Sequence, residues 1–328
     1  MAKPKVFVTR AIPEQGLALV RDFCEADVWM EELPPAREVI LKRVRRVDGI
    51  LSLLTDRMDD AVMDAAGPQL KVISNYAVGF DNVDAAEATK RGIPVGNTPG
   101  VLTDTTADLA FALLMAAARR VVEGDKFTRA GRWKTWGPTL LLGQDVFGAT
   151  LGLVGFGRIG RAVAKRARGF DMRVLYYDPF VAADDPFAAE IGAQAVDLDT
   201  LLRESDFVSL HTLLNKETRH LIGTDAFAKM KPTAILVNTS RGPVVDPDAL
   251  YAALTEGQIG YAALDVTEPE PIPVDSPLLA LDNIIIVPHI ASASVATRGR
   301  MAQMAAENLI AGLKGERLPN CANPEVYK

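Results

Sequence analysis

The stretch Ala149-Thr150-Leu151-Gly152-Leu153-Val154-Gly155-Phe156-Gly157-Arg158-Ile159-Gly160 decides the reading of this chain. Its first half is an apolar run that reads as a buried strand. Three glycines follow at once, and Arg161 to Gly169 then reads as a helix. Glycine in that setting permits a tight turn, close backbone approach to a bound group, and close packing of helix on strand. A second apolar run, Met172 to Tyr177, ends at Asp178, 18 residues after Gly160. Strand, glycine turn, helix and acid in this register describe a dinucleotide site. Gly155, Gly157, Arg158, Ile159 and Gly160 line the pyrophosphate at a helix N-terminus, and Asp178 takes the adenosine ribose. A 2′-phosphate there would meet a like charge, and Pro179 and Phe180 offer no cation. The expected cofactor is therefore NAD, used as NADH, with NADP disfavoured.

Working outward, strand-like runs recur at 172–177, 207–210, 234–238, 260–264 and 283–287, with helix-like stretches near 159–169, 197–204, 224–230 and 246–257. Six strands with mostly helical crossovers match a doubly wound α/β sheet of Rossmann type. The first hundred residues repeat the alternation on a smaller scale. Strands are expected at 6–9, 49–54, 70–74 and 94–96, and helices at 12–22 and 83–91. This reads as a second, flavodoxin-like α/β unit. Two helices remain, Thr103 to Val122 and Ser292 to Lys314, the latter with apolar residues in helical spacing. The expected organisation is a discontinuous substrate domain from 1–100 and 290–328 and a dinucleotide-binding domain from 101–289, with a cleft between them.

Composition narrows the function. The 328 residues suffice for two domains, and 48% hydrophobic with 24% charged residues is ordinary for a globular protein. A net charge of −6 with scattered Lys and Arg argues against nucleic acid and anionic membrane as partners. Cys24 and Cys321 show no metal-like spacing and read as free thiols, so no metal is expected and the cytoplasm is the expected location. No run is long enough to span a bilayer. Gly131 to Gly148 carries Trp133, Trp136 and Leu140-Leu141-Leu142, an apolar excursion that reads as an oligomer contact, and hence a homodimer.

In open α/β sheets ligands lie beyond the carboxyl ends of the strands. The residues there are Gly155, Asp178, His211, the turn Thr239-Ser240-Arg241-Gly242, Asp265 with Glu268 and Glu270 behind it, and His289. An arginine can hold a substrate carboxylate through two hydrogen bonds, and a histidine beside a carboxylate can supply a proton near neutral pH. That set suits hydride transfer to a ketone. Spacing leaves His211 and His289 as rival acids and Glu268 and Glu270 as rival carboxylates; His220 reads as a surface residue.

These residues resemble, across essentially the whole chain, the D-isomer-specific 2-hydroxyacid dehydrogenases. The matching segments are Gly155–Gly160 with Asp178, Asn238 to Asp246, Ala263 to Val266, Glu268 to Pro271, and Pro288-His289-Ile290. The resemblance implies Arg241, Glu270 and His289 as the catalytic set. The step of 29 positions from Arg241 selects Glu270, and His289 falls at the general-acid position. It implies Thr106, His211, Thr239 and Asp265 as cofactor contacts, Asp265 at the carboxamide. Asn75 to Asp84 resembles the substrate loop, with Leu53, Asn75, Val78, Gly79 and Trp136 joining Arg241 around a 2-oxo acid. These stretches look most like glyoxylate/hydroxypyruvate reductases, with Ala291 standing where many relatives have glycine. The implied activity is reduction of a small 2-oxo acid to a D-2-hydroxy acid. The alternatives are a 3-phosphoglycerate dehydrogenase, for which the Asn75 loop offers no extra cation, or a non-catalytic NAD-sensing module of corepressor type.

Overall fold

The computed structural model describes residues 2–182 and 184–328, and the chain divides into two compact units. The first runs to Leu102 and takes in Ala293–Lys328; the second is Thr103–Ser292.

In the first unit the chain lays down β1 (Lys5–Val8), α1 (Glu14–Phe23), β2 (Glu25–Val28), α2 (Arg37–Arg43), β3 (Gly49–Ser52), α3 (Asp60–Ala66), β4 (Val72–Asn75), α4 (Ala85–Lys90) and β5 (Val95–Gly96). The strands pair in parallel in the order β2-β1-β3-β4-β5, the flavodoxin-like arrangement. Helices cover both faces, so β1, β3 and β4 are buried apolar runs. Phe7, Ile50 and Ile73 pack on one side of the sheet, and Val6, Val8, Leu51 and Val72 on the other.

The second unit opens with α5 (Thr103–Ala118) and α6 (Val121–Arg129). The sequence predicts a single helix from Thr103 to Val122. Instead Arg120 adopts a left-handed conformation (φ 51°), and Gln144, returning from the apolar excursion, donates to the Ala118 carbonyl that ends α5. There follow β6 (Thr150–Val154), α7 (Arg158–Ala167), β7 (Arg173–Tyr177), α8 (Pro186–Ile191), β8 (Gln194–Ala195), α9 (Leu198–Glu204), β9 (Phe207–Leu210), α10 (Thr224–Phe227), β10 (Ile235–Asn238), α11 (Pro247–Thr255), β11 (Tyr261–Leu264) and β12 (Ile284–Ile286). All seven strands are parallel, in the order β12-β11-β10-β9-β6-β7-β8. Six were expected; the seventh, β8, is an exposed two-residue edge strand. The order reverses between β6 and β9, so their carboxyl ends flank the switch point where such sheets bind ligands.

The last helix, α12 (Val295–Lys314), completes the first unit. Met301, Ala302, Ala305 and Leu309 pack against Leu17 and Val20 of α1, and the Ala305 carbonyl accepts from Ser74 Oγ at 2.7 Å. No helix among the described residues is long and apolar enough to cross a membrane, and no group of His, Cys, Asp and Glu among them could hold a metal ion.

Candidate active site

The glycine turn is built as its spacing demands. Gly155 sits at φ 96° with its N–H on the Tyr177 carbonyl at 2.8 Å. A Cβ on Gly160 would fall 2.2 Å from the Gly155 carbonyl oxygen, so α7 can lie this close to β6 only with glycine there. A Cβ on Gly157 would meet no protein atom within 4 Å. The open side of the turn thus faces space, and the N–H groups of Arg158 and Ile159 donate to no group among the described residues. An unpaired helix N-terminus beside an open glycine cradle fits a pyrophosphate. Asp178, half-buried, accepts from Phe156 N at 2.8 Å and Phe180 N at 2.9 Å.

Further along the same rim, three buried polar atoms lack a partner among the described residues: His211 Nδ1, Thr212 Oγ1 and Thr239 Oγ1. Such orphans are costly unless a ligand or water satisfies them. Thr212 was missed in the sequence, because a threonine past a strand end carries no motif. His211 Nε2 is hydrogen-bonded to Ser209 Oγ at 2.9 Å, and burial pushes its imidazole down to about 3. An imidazole held this far toward its neutral form is poorly suited to donate a proton near neutral pH. Thr106 is buried in the first turns of α5.

Beyond β10, Asn238 holds the turn that carries the arginine. Its Oδ1 accepts from Ser240 N (3.0 Å) and Ser240 Oγ (2.8 Å), and its Nδ2 donates to the Arg241 carbonyl (2.9 Å). Arg241 Nη1 donates to the Ser240 carbonyl at 2.8 Å. Beyond β11, Asp265 is 1% exposed and accepts from Ile290 N (2.6 Å) and Ala291 N (2.9 Å). Burial pushes its carboxyl up, and those two N–H bonds oppose the rise. Asp265 thereby fixes the segment that carries His289, whose N–H donates to the Asp265 carbonyl at 2.9 Å and whose φ is 52°.

His289 Nδ1 lies 2.6 Å from Glu270 Oε1. Glu268 turns elsewhere, to Arg219 and to His220 Nε2 at 2.7 Å. The structure therefore separates two carboxylates that their spacing alone leaves equivalent. His220, expected as a plain surface residue, is half of that second pairing.

In the first unit, Val78 and Gly79 follow β4, and their N–H groups donate to no group among the described residues. Asn75 is fully buried. Its Nδ2 donates to Gly79 O and Asn82 Oδ1, both at 3.0 Å, and its Oδ1 accepts from Ser52 Oγ at 3.0 Å. The Asn75 side chain thereby ties the loop to β3 through Ser52 and to itself through Gly79 and Asn82. Asn82, which the sequence did not single out, ties that loop to the Leu53 and Asp56 carbonyls at 3.0 and 2.9 Å. Leu53 is part-buried at the end of β3. Trp136 is 78% exposed on the second unit. A cavity of about 330 Å³ lies at the opposite, amino ends of β10 and β11, lined by Arg120, Gln144 and Tyr261 among others, and holds none of these residues.

Residues 111–291 match the family model described as D-isomer specific 2-hydroxyacid dehydrogenase, NAD binding domain. The chain is 59% identical over 327 residues to a glyoxylate reductase of Korarchaeum cryptofilum, covering 99% of this chain and 98% of that protein. The crystal structure of the TT0316 protein of Thermus thermophilus superposes with a TM-score of 0.91 at 49% identity, covering 97% of this chain and 99% of that one. An NADPH-dependent glyoxylate/hydroxypyruvate reductase of Sinorhizobium meliloti, solved with NADP and malonate, gives 0.85 at 30% identity, covering 99% and 98%. The chain belongs to the D-isomer-specific 2-hydroxyacid dehydrogenases. It is an enzyme acting on a small molecule with a nicotinamide dinucleotide.

Proposed function

We propose that this enzyme is an NADH-dependent reductase of glyoxylate and hydroxypyruvate, giving glycolate and D-glycerate. The observation that carries the reading is the 2.6 Å pair of His289 Nδ1 and Glu270, set beside an arginine turn on one rim. The bound dinucleotide supplies the hydride. With Nδ1–H donated to Glu270, Nε2 of His289 delivers its proton to the carbonyl oxygen of the substrate. Glu270 stabilises the imidazolium and fixes the ring, and Asp265 holds the backbone beneath it. Arg241 takes the substrate carboxylate through a bidentate contact. The second unit is read as the dinucleotide domain and the first as the substrate domain, where the N–H groups of Val78 and Gly79 suit a carboxylate oxygen.

The choice of substrate follows the similarity to glyoxylate reductases at 50–59% identity, and the choice of NADH follows Asp178. The exposed Trp133, Trp136 and Leu142 suit a homodimer contact, with Trp136 reaching a partner's substrate. Free thiols at Cys24 and Cys321 suit the cytoplasm. The deciding experiment is NADH oxidation with glyoxylate by the native enzyme and by His289→Ala. The variant is expected to lose roughly 10²–10⁴ in kcat while keeping its affinity for NADH. Near-normal turnover by His289→Ala, with His211→Ala inactive, would overturn the assignment.

A further inference from the structure

The chemistry above leaves Arg219 and His220 unused, yet both meet the acidic loop two residues from Glu270. Glu268 gives one carboxylate oxygen to Arg219 and the other to His220 Nε2 at 2.7 Å. Burial alone would raise the Glu268 carboxyl, but these partners outweigh it and hold the group below its usual range. His220 is anchored in turn. Its φ is 52°, its N–H donates to the Pro243 carbonyl at 2.7 Å, and its Nδ1 stands 3.8 Å from Asp246 Oδ2. Ile222 N then donates to the Val244 carbonyl at 3.1 Å, and Asp246 N to the Ile222 carbonyl at 3.0 Å. Residues 219–222 therefore run beside 243–246, the segment that leaves Arg241.

That segment also lies directly on the acidic loop. A Cβ on Gly242 would come within 1.9 Å of the Thr267 carbonyl oxygen and 2.9 Å of Glu268 N. By contrast, the turn that carries Glu270 has little hold of its own. Thr267 Oγ1 donates to the Pro269 carbonyl at 2.8 Å, and Thr267 N reaches Glu270 Oε2 only at 3.5 Å. Besides the 2.6 Å pairing of Glu270 with His289, the turn is attached by the carboxylate of Glu268 through charge-assisted bonds to Arg219 and His220.

We propose that Arg219 and His220 are positioning residues which, by clamping Glu268, hold the Thr267–Pro271 turn so that Glu270 stays on His289 and in register with the Arg241 turn. The inference rests on the reading of His289 as the acid. Its consequence has a definite sign. Removing a cation from this region would, by field alone, raise the pKa of a neighbouring imidazolium; loosening Glu270 lowers it. The charged groups facing His220 are Glu268 and Asp246, and those facing Glu268 are Arg219 and His220.

The test is the pH dependence of glyoxylate reduction by His220→Ala, Arg219→Gln and His220→Gln, followed between about pH 6 and pH 10. His220→Ala and Arg219→Gln should each lose about tenfold in kcat with KM within about twofold. Their alkaline limb should move down by about one pH unit. His220→Gln keeps an N–H donor toward Glu268 and should recover most of both effects. A limb that stays or moves up in the active variants, or a glutamine as impaired as the alanine, would overturn the clamp. If His220→Ala does not fold, Arg219→Gln, altered at a half-exposed side chain, carries the same measurement. A native enzyme inert toward every 2-oxo acid would instead sink the proposed function.

Discussion

Replacing Asp178 should change which nicotinamide the enzyme prefers, and the structure sets the scale. The Asp178 carboxylate is pinned just past β7 by two backbone N–H groups, from Phe156 and Phe180. The nearby Arg161 is committed, with Nη2 on Asp185 at 2.6 Å, Nε on the Phe156 carbonyl at 3.0 Å, and its guanidinium over the Phe156 and Phe187 rings. Pro179 adds no charge, and Phe180 is 90% exposed. Two like charges about 4 Å apart repel by about 1 kcal/mol in water and about 4 kcal/mol at an effective dielectric constant of 20. A half-buried site lies between these limits, so kcat/KM should favour NADH over NADPH by at least about tenfold, or about 1.4 kcal/mol. The assay is steady-state glyoxylate reduction with each cofactor. Asp178→Ser combined with Pro179→Arg should narrow or invert the ratio. Because Asp178 also supports the glycine turn, both cofactors will bind the variant less well, and the ratio is the readout. Equal use of both cofactors by the native enzyme, or an unchanged ratio in the double variant, would refute the reasoning.

Other expectations follow from the same geometry. Arg241→Ala should raise KM for the 2-oxo acid and lower kcat/KM by about 10–100-fold, the worth of a charge-assisted pair, and an unchanged KM in steady-state assays would count against the anchor role. His211 is held neutral when folded, with a pKa near 3 against about 6.5 unfolded, so the unfolded chain binds more protons between those values. Its contribution to stability is complete above about pH 6.5 and fades as pH falls toward 3, by up to about 1.4 kcal/mol per pH unit. Thermal midpoints measured across that window should fall less steeply in His211→Gln, and identical slopes would refute the burial argument. Light scattering should show a dimer, with Trp136→Ala and Leu142→Ala shifting it toward monomer; a fully active native monomer would remove the homodimer reading.

The sequence alone determined those features whose physical cause is local or periodic. A parallel sheet covered on both faces needs near-continuous apolar strands, so β1, β3, β4, β6, β7, β9, β10 and β11 are legible as runs, and the residues past their ends can be read off. The glycine turn is equally legible, because positive φ and a 2.2 Å approach admit no side chain. The edge strands β2 and β8 lack that signal. β2 is Glu-Ala-Asp-Val, half exposed, and β8 is two exposed residues, so neither reads as a strand without its neighbour. The break between α5 and α6 is likewise set from a distance, by the chain returning at Gln144 to cap the Ala118 carbonyl. The family resemblance selects Glu270 by its step from Arg241, but only tertiary structure shows what separates two near-identical carboxylates. Glu268 and Glu270 flank one proline and carry the same chemistry; Arg219 and His220, almost fifty positions earlier, claim the first and leave the second to His289. The burial of His211 and the pairing of His289 with Glu270 have the same tertiary origin, since neither is written in the residues adjacent along the chain.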